Sequence, residues 1–217
     1  MKKNLLILSI LFVFASCKSL SYFTSPNDLR NIPATLHLLD GRNINGKLIV
    51  QQNTFSNTVK IYIDGKKDPE KYNLYEVKGY TIRNEYYALK SIRDISSGRD
   101  LVFMRRMTAP NSKINLYENS EQKSNNSSTN NSTTTRTDYS YYVELPGESA
   151  SNVWSISSSR FTPEFDQKVS QQFKDCPSLS EKIAKKQSGY FYALFSLFEE
   201  KKLDVWMNII KEYNSCK

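Results

Sequence analysis

Residues Ala34 to Val50 read ATLHLLDGRNINGKLIV, and their pattern decides the fold class. Leu36 and Leu38 alternate with Thr35 and His37. Asp40-Gly41-Arg42-Asn43 supplies a turn, and Ile44, Gly46, Leu48 and Val50 then share one face of a second run. A period of two on both sides of an Asp-Gly turn predicts a β-hairpin.

The same period continues toward the C-terminus. Val59, Ile61 and Ile63 face away from Lys60, Tyr62 and Asp64, and a charged turn follows from Gly65 to Glu70. Further strands are expected over Tyr72 to Val77, Tyr80 to Arg83, Tyr86 to Ile92, Leu101 to Met107 and Ile114 to Glu118. Later, Tyr139, Tyr141, Val143 and Leu145 alternate with Ser140, Tyr142 and Glu144, and Pro146-Gly147 turns the chain into Val153 to Ser157. Turn signals roughly 8 to 14 residues apart predict an antiparallel meander, curled into a sandwich or small barrel, over residues 34–159. Residues 119–137, NSEQKSNNSSTNNSTTTRT, contain no aliphatic or aromatic side chain to offset ordering entropy, so a disordered insert is expected within that sheet.

After Ser159 the period changes to that of helices. Thr162 reads as an N-cap with Pro163 in the first helical position, followed by Phe165, Val169 and Phe173 at i, i+4 and i+8. Asp175-Cys176-Pro177 breaks this helix. Leu179 and Ile183 mark a second, capped by Ser178 or Ser180, and Tyr190 to Phe198 is rich in aromatic residues. Trp206, Ile209, Ile210 and Tyr213 then form an amphipathic stripe read as core. The fold class is therefore α+β, with a C-terminal helical subdomain over residues 160–217.

The N-terminal residues 1–16 carry Lys2 and Lys3 ahead of an apolar run from Leu5 to Ala15, the layout of a secretory signal peptide. The run is about half the roughly 20 residues that a membrane-spanning helix needs. Phe14-Ala15-Ser16-Cys17 resembles the lipobox of bacterial lipoproteins, with Phe14 in place of the usual Leu. That resemblance implies lipidation of Cys17 by two or three acyl chains, enough for stable anchoring. By the sorting pattern of such lipoproteins, Lys18 after the cysteine implies the periplasmic face of the outer membrane. Residues 17–33, the lipidated cysteine and a stretch without periodicity, are expected to be a tether.

The chain has a net charge of +8, and loss of Lys2 and Lys3 with the signal leaves +6. No run of four basic residues occurs, and a solvated surface is the expectation, with no nucleic acid as partner. Once Cys17 is acylated, Cys176 and Cys216 remain as an even pair in an oxidising compartment, so a disulfide between them is expected.

The chemistry-bearing residues are few. His37 is the sole histidine and lies in an alternating strand, which argues against Ser-His-Asp or Cys-His catalysis and against a zinc site. Asp64, Asp68, Glu70, Glu76 and Glu85 fall in turns or on mixed faces, and no spacing singles out an acid/base pair. Ser120-Glu121-Gln122-Lys123 has the SxxK spelling but lies in the low-complexity stretch. Asn125, Asn126, Asn130 and Asn131 head glycosylation sequons of no default use in a bacterium. Tyr62, Tyr86, Tyr87 and Tyr142, with Lys60, Lys90 and Arg106, could form a sheet face suited to a glycan or a protein.

Lys113 to Glu118, Tyr141-Tyr142-Val143, Phe173 to Pro177 and Tyr213-Asn214, in this order, resemble segments of uncharacterised exported proteins typical of the Bacteroidota. The resemblance implies the architecture and supplies no mechanism. The expectation is a lipid-anchored cell-envelope protein that binds or assembles with a protein or glycan, without catalytic, cofactor-binding or metal-binding residues. The competing reading is a lipid-anchored hydrolase acting on glycan or lipid through carboxylates.

Overall fold

The computed structural model describes residues 20–51, 57–94, 101–127, 132–193 and 198–216. Cys17 and the signal lie outside them. The architecture is α+β, an eleven-stranded, mostly antiparallel sheet followed by three helices.

The Ala34–Val50 hairpin forms as its pattern requires. β2 (Asp28–Leu38) pairs with β3 (Asn43–Gln51), placing Leu36 opposite Ile44 and Ile32 opposite Leu48. β4 (Thr58–Tyr62) and β5 (Glu70–Asn73) extend the sheet beyond β3. On the other side of β2 the order runs through β6 (Val77–Ile82), β7 (Glu85–Ile92), β8 (Leu101–Arg106), β9 (Leu116–Ser127), β10 (Ser132–Val143) and β11 (Asn152–Ser155). The expected strand over Tyr72 to Val77 is divided by a 3-10 turn at Leu74–Glu76. Asn73 accepts from the Tyr75 N–H while Glu76 accepts from the Asn73 N–H, a reciprocal cap that stops β5 and starts β6.

Two expectations are corrected. Residues 17–33 are not all tether, because β1 (Tyr22–Ser25) pairs with β2, which itself starts at Asp28. The turn between them is held by Asn27, whose side-chain amide donates to the Phe103 carbonyl (3.1 Å) and accepts from the Phe103 N–H (2.8 Å), filling in for a strand neighbour. Leu29 is fully buried, and Tyr80 donates its hydroxyl to the Pro26 carbonyl. The period was obscured by Asn31, which has φ 54° where the β2–β3 register shifts between Leu29 and Ile32. The second correction concerns the expected disordered insert at 119–137. Ser132 to Val143 pair residue by residue with Ser127 to Leu116, so all of it outside residues 128–131 is strand. The ladder grows from the buried residues Leu116, Tyr117, Tyr142 and Val143, and the Thr-rich half suits extended backbone. Asp138 adds ion pairs to Lys123 and Arg136.

β11 pairs with β10 and also, in parallel, with β7, so β7, β8, β9, β10 and β11 close into a ring. Ala88, Ile92, Val102, Met104, Tyr117, Tyr142 and Val153 pack together on one face of its strands. The opposite face of β7 and β8 contributes Tyr87, Leu89 and Phe103 to a second core with β2, β3, β4 and β6. At the end of β10, Tyr142 belongs to the ring core and Val143 to the core under the helices, while Tyr139 stays exposed.

The remaining core faces the helices. α1 (Phe165–Gln172), α2 (Pro177–Ala184) and α3 (Glu199–Ser215) enclose Phe165, Val169, Phe173, Leu179, Ile183, Trp206, Ile209, Ile210 and Tyr213 against Leu116, Val143, Leu145 and Ile156. The first helix starts at Phe165 instead of Pro163, with Glu164 left-handed at its cap, because Phe161 and Phe165 are both drawn into this core on either side of a turn. Cys176 caps α2, with Pro177 in the first helical position. Asn214 repeats the device of Asn27: its amide accepts from the Ile114 N–H and donates to the Ile114 carbonyl.

One charged cluster is buried where ring, helical core and the 144–151 connection meet. Glu144 accepts from Lys90 Nζ (2.7 Å), the Tyr117 hydroxyl (2.7 Å), the Asn115 N–H (2.9 Å) and Asn115 Nδ2 (2.9 Å). Lys90 also donates to the Ala150 carbonyl and lies 4.6 Å from the Tyr117 ring centre. Burial holds the Lys90 ammonium below its usual range, opposed by Glu144, and burial followed by the carboxylate's charge pushes the Tyr117 hydroxyl up. Removing one member of such a pair strands a buried charge, at about 3–5 kcal/mol. Glu144→Leu should therefore destabilise the fold by at least about 3 kcal/mol in urea unfolding, more than Lys90→Met because four donors lose their acceptor. The Lys90→Met/Glu144→Leu double variant should lose less than the sum of the two. A loss below about 1 kcal/mol for Glu144→Leu would contradict this role.

Candidate functional site: an aromatic cleft around Arg105

The registers align Tyr87 on β7, Arg105 on β8, Glu118 on β9 and Tyr141 on β10 in one row across four strands. Side chains two residues along share this face, which adds Glu85, Ser120 and Tyr139. Phe23 on β1 and Pro26 close the side, giving a cleft of about 390 Å³. Its position follows from the fold, since it lies where the sheet passes from the β2–β3–β4–β6 core to the helical core.

Arg105 organises the floor. Its Nε and Nη2 donate to the two carboxylate oxygens of Glu118 at 3.0 Å each, and Nη1 donates to Glu85 at 3.2 Å. The bond to Glu118 is the main reason the guanidinium is held even more firmly protonated than usual. Tyr87 donates to the second oxygen of Glu85 at 2.9 Å, and burial together with this bond pushes its hydroxyl up. Its ring stacks on Tyr80 at 4.9 Å and meets Phe23 at 6.0 Å. Tyr139 and Phe23 stay open to solvent, 54% and 41% exposed. The cleft thus offers aromatic faces beside a fixed array of charged donors and acceptors.

This geometry suits recognition better than proton transfer. A general acid needs a carboxyl free to carry and release its proton, whereas both carboxylates here already accept from Arg105. Among the described residues, no group of three or more His, Cys, Asp or Glu side chains could hold a metal ion.

The residues singled out in the sequence are scattered. His37 is tied to Asn43 (2.7 Å) and Thr81 (2.8 Å) on the β2–β3–β6 face. Glu70 accepts from Lys66 and Tyr72, Glu76 caps its own turn, and Asp64 and Asp68 are exposed, so of the five carboxylates only Glu85 reaches the cleft. The expected face of Tyr62, Tyr86, Tyr87 and Tyr142 does not form, because Tyr86 and Tyr87 are consecutive strand residues and belong to different cores. Lys90 is buried, and Arg106 lies over the Tyr86 ring. Of the SxxK residues, Ser120 lines the cleft while Lys123 pairs with Asp138. Asn125 and Asn126 lie in β9, while Asn130 and Asn131 are outside the described residues. Cys176 and Cys216, by contrast, are brought to disulfide distance, with Cα atoms 6.0 Å apart.

Arg105, Glu118 and Phe23 were not signalled by the sequence, since nothing local marks them and their proximity depends on registers between four strands. The alternation of Tyr139 and Tyr141 was visible, and it gave their shared face without saying what lay opposite. No family model, curated protein or solved structure matches the chain.

The two carboxylates differ in setting: the Glu118 side chain is 13% exposed and doubly bonded, that of Glu85 50% exposed and singly bonded to Arg105. Glu118→Gln should cost about 1–2 kcal/mol and Glu85→Gln less than about 0.5 kcal/mol in urea unfolding. Equal losses would show that the two play the same part.

Proposed function

We propose that this protein is a lipid-anchored binding module of the bacterial cell envelope, held through acylated Cys17 at the periplasmic face of the outer membrane, and that the Arg105 cleft takes a saccharide ligand. The cleft carries the proposal. Sugar rings present apolar C–H faces that pack on aromatic side chains, and hydroxyl pairs that match the fixed oxygens and guanidinium nitrogens of a carboxylate–arginine array. Phe23, Tyr139 and Tyr141 are placed for the first kind of contact, and Glu85, Arg105, Glu118 and Ser120 for the second.

The lipobox-like Phe14-Ala15-Ser16-Cys17 supports the anchor, and no described helix is long and apolar enough to cross a membrane. Export would also place Cys176 and Cys216 in an oxidising compartment. Their bond would close a 40-residue separation, stabilising the helical subdomain by about 4 kcal/mol on the chain-entropy account.

Two measurements test this reading. The intact mass of protein from native membranes should show a chain starting at acylated Cys17, with two hydrogens fewer than the fully reduced form. An unmodified Cys17 contradicts the anchor, and a full set of free thiols contradicts the bond. Titration calorimetry with soluble envelope oligosaccharides should find a ligand whose affinity falls roughly five- to tenfold in Tyr139→Ala, the loss of one stacked ring. If no oligosaccharide binds, or if Tyr139→Ala and Glu118→Gln bind as well as the parent, the cleft is not a saccharide site.

A further inference from the structure

The exposed face of β3, β4 and β5 carries a second arrangement, away from the cleft. The registers set Lys47 opposite Tyr62, Ile49 opposite Lys60, and Lys60 opposite Lys71, so Lys47, Lys60, Tyr62 and Lys71 surround the buried Ile49 on the face turned away from Leu48, Val59 and Ile61. Arg30 flanks them, opposite Tyr22 in the β1–β2 pair, and Tyr22 accepts from Gln51 on the same face of β3. Arg30, Lys47, Ile49, Tyr62 and Lys66 border a depression of about 360 Å³, with Asp64 as the acidic residue on its rim.

Two properties of this face call for a partner. Like charges directly opposite on neighbouring strands destabilise a sheet, yet Lys60 faces Lys71, and none of Arg30, Lys47, Lys60 and Lys71 forms an ion pair among the described residues. Arg105 in the cleft, by contrast, is paired with both Glu85 and Glu118. The face also adjoins the point where the chain leaves the fold. Leu20 is 76% exposed, and its carbonyl accepts from Asn31, another residue of the depression. Cys17 precedes Leu20 by three residues, so an extended chain separates them by at most about 11 Å. With β1 already paired at Tyr22, no long tether remains to lift the domain away.

We propose that this cationic face of β3–β5, with Arg30 and Tyr62, docks on anionic phospholipid headgroups of the membrane into which Cys17 is anchored. The proposal rests on the lipid-anchor reading. A surface closer to a bilayer than about a Debye length still feels much of its potential, and each lysine or arginine placed there strengthens binding by about fivefold. Tyr62 and Leu20 suit the headgroup level, where amphipathic rings and short apolar contacts are favoured.

The test uses the native acylated protein on vesicles of neutral phosphatidylcholine or of phosphatidylcholine with phosphatidylglycerol, and footprints lysines with a water-soluble amine reagent read by mass spectrometry. Lys47, Lys60 and Lys71 should react at least fivefold more slowly on the anionic vesicles, with Lys185 and Lys211 unchanged and the protection lost at 0.5 M salt, where the Debye length is on the order of 4 Å. Equal rates on the two vesicles at Lys47, Lys60 and Lys71 would overturn the proposal. Flotation separates the two ideas. Protein that fails to float with neutral vesicles lacks the acyl anchor, and in that case flotation with anionic vesicles alone supports the face, while no flotation with either overturns it.

Discussion

A buried carboxylate with four donors holds this molecule together. Ionised carboxylates are costly to desolvate, and the cost is met only when every lone pair is used. Glu144 achieves this with Lys90 from β7, Tyr117 from β9 and both nitrogens of Asn115. Lys90 in turn fixes the Ala150 carbonyl, just before β11 returns to pair with β7. The ring closes because these groups meet. The helical core then packs on the outside of the same strands through Leu116, Val143 and Leu145, so one polar junction sets the register that two apolar cores share.

The cleft inherits its order from that junction. Arg105 and Arg106 pair with Glu118 and Tyr117 where β8 meets β9, and Tyr117 is the residue whose hydroxyl reaches Glu144. The Tyr87–Arg105–Glu118–Tyr141 row is therefore one residue out of phase with the buried network, on the opposite face of the same strands. A shift of one register would exchange the faces, burying Arg105 and exposing Tyr117.

Much of the fold was legible because it is written in periods. The β2–β3 hairpin, the later strands, the Trp206–Tyr213 stripe and the approach of Cys176 to Cys216 all follow from alternation, helical spacing or cysteine arithmetic. What stayed hidden depends on side chains acting for backbone. Asn27 completes a ladder with its amide and Asn31 shifts the register of β2, so Tyr22–Ser25 looked like tether. The polar Thr- and Ser-rich strands gave no apolar signal, although they extend a ladder already anchored by Leu116 and Val143. Glu144 resembled any outward-facing strand residue, because closure of the ring is a long-range event that turns its face inward.

The Asn115 backbone amide has no strand neighbour and donates only to the Glu144 carboxylate. Native-state hydrogen exchange measures what opens it. If Glu144 is the junction, this amide should exchange only through global unfolding, with a free energy matching that from denaturant and that of the Leu36 and Leu48 amides in the β2–β3–β4–β6 core. Exchange several kcal/mol easier than those core amides would show that the junction opens on its own and that the fold does not depend on it.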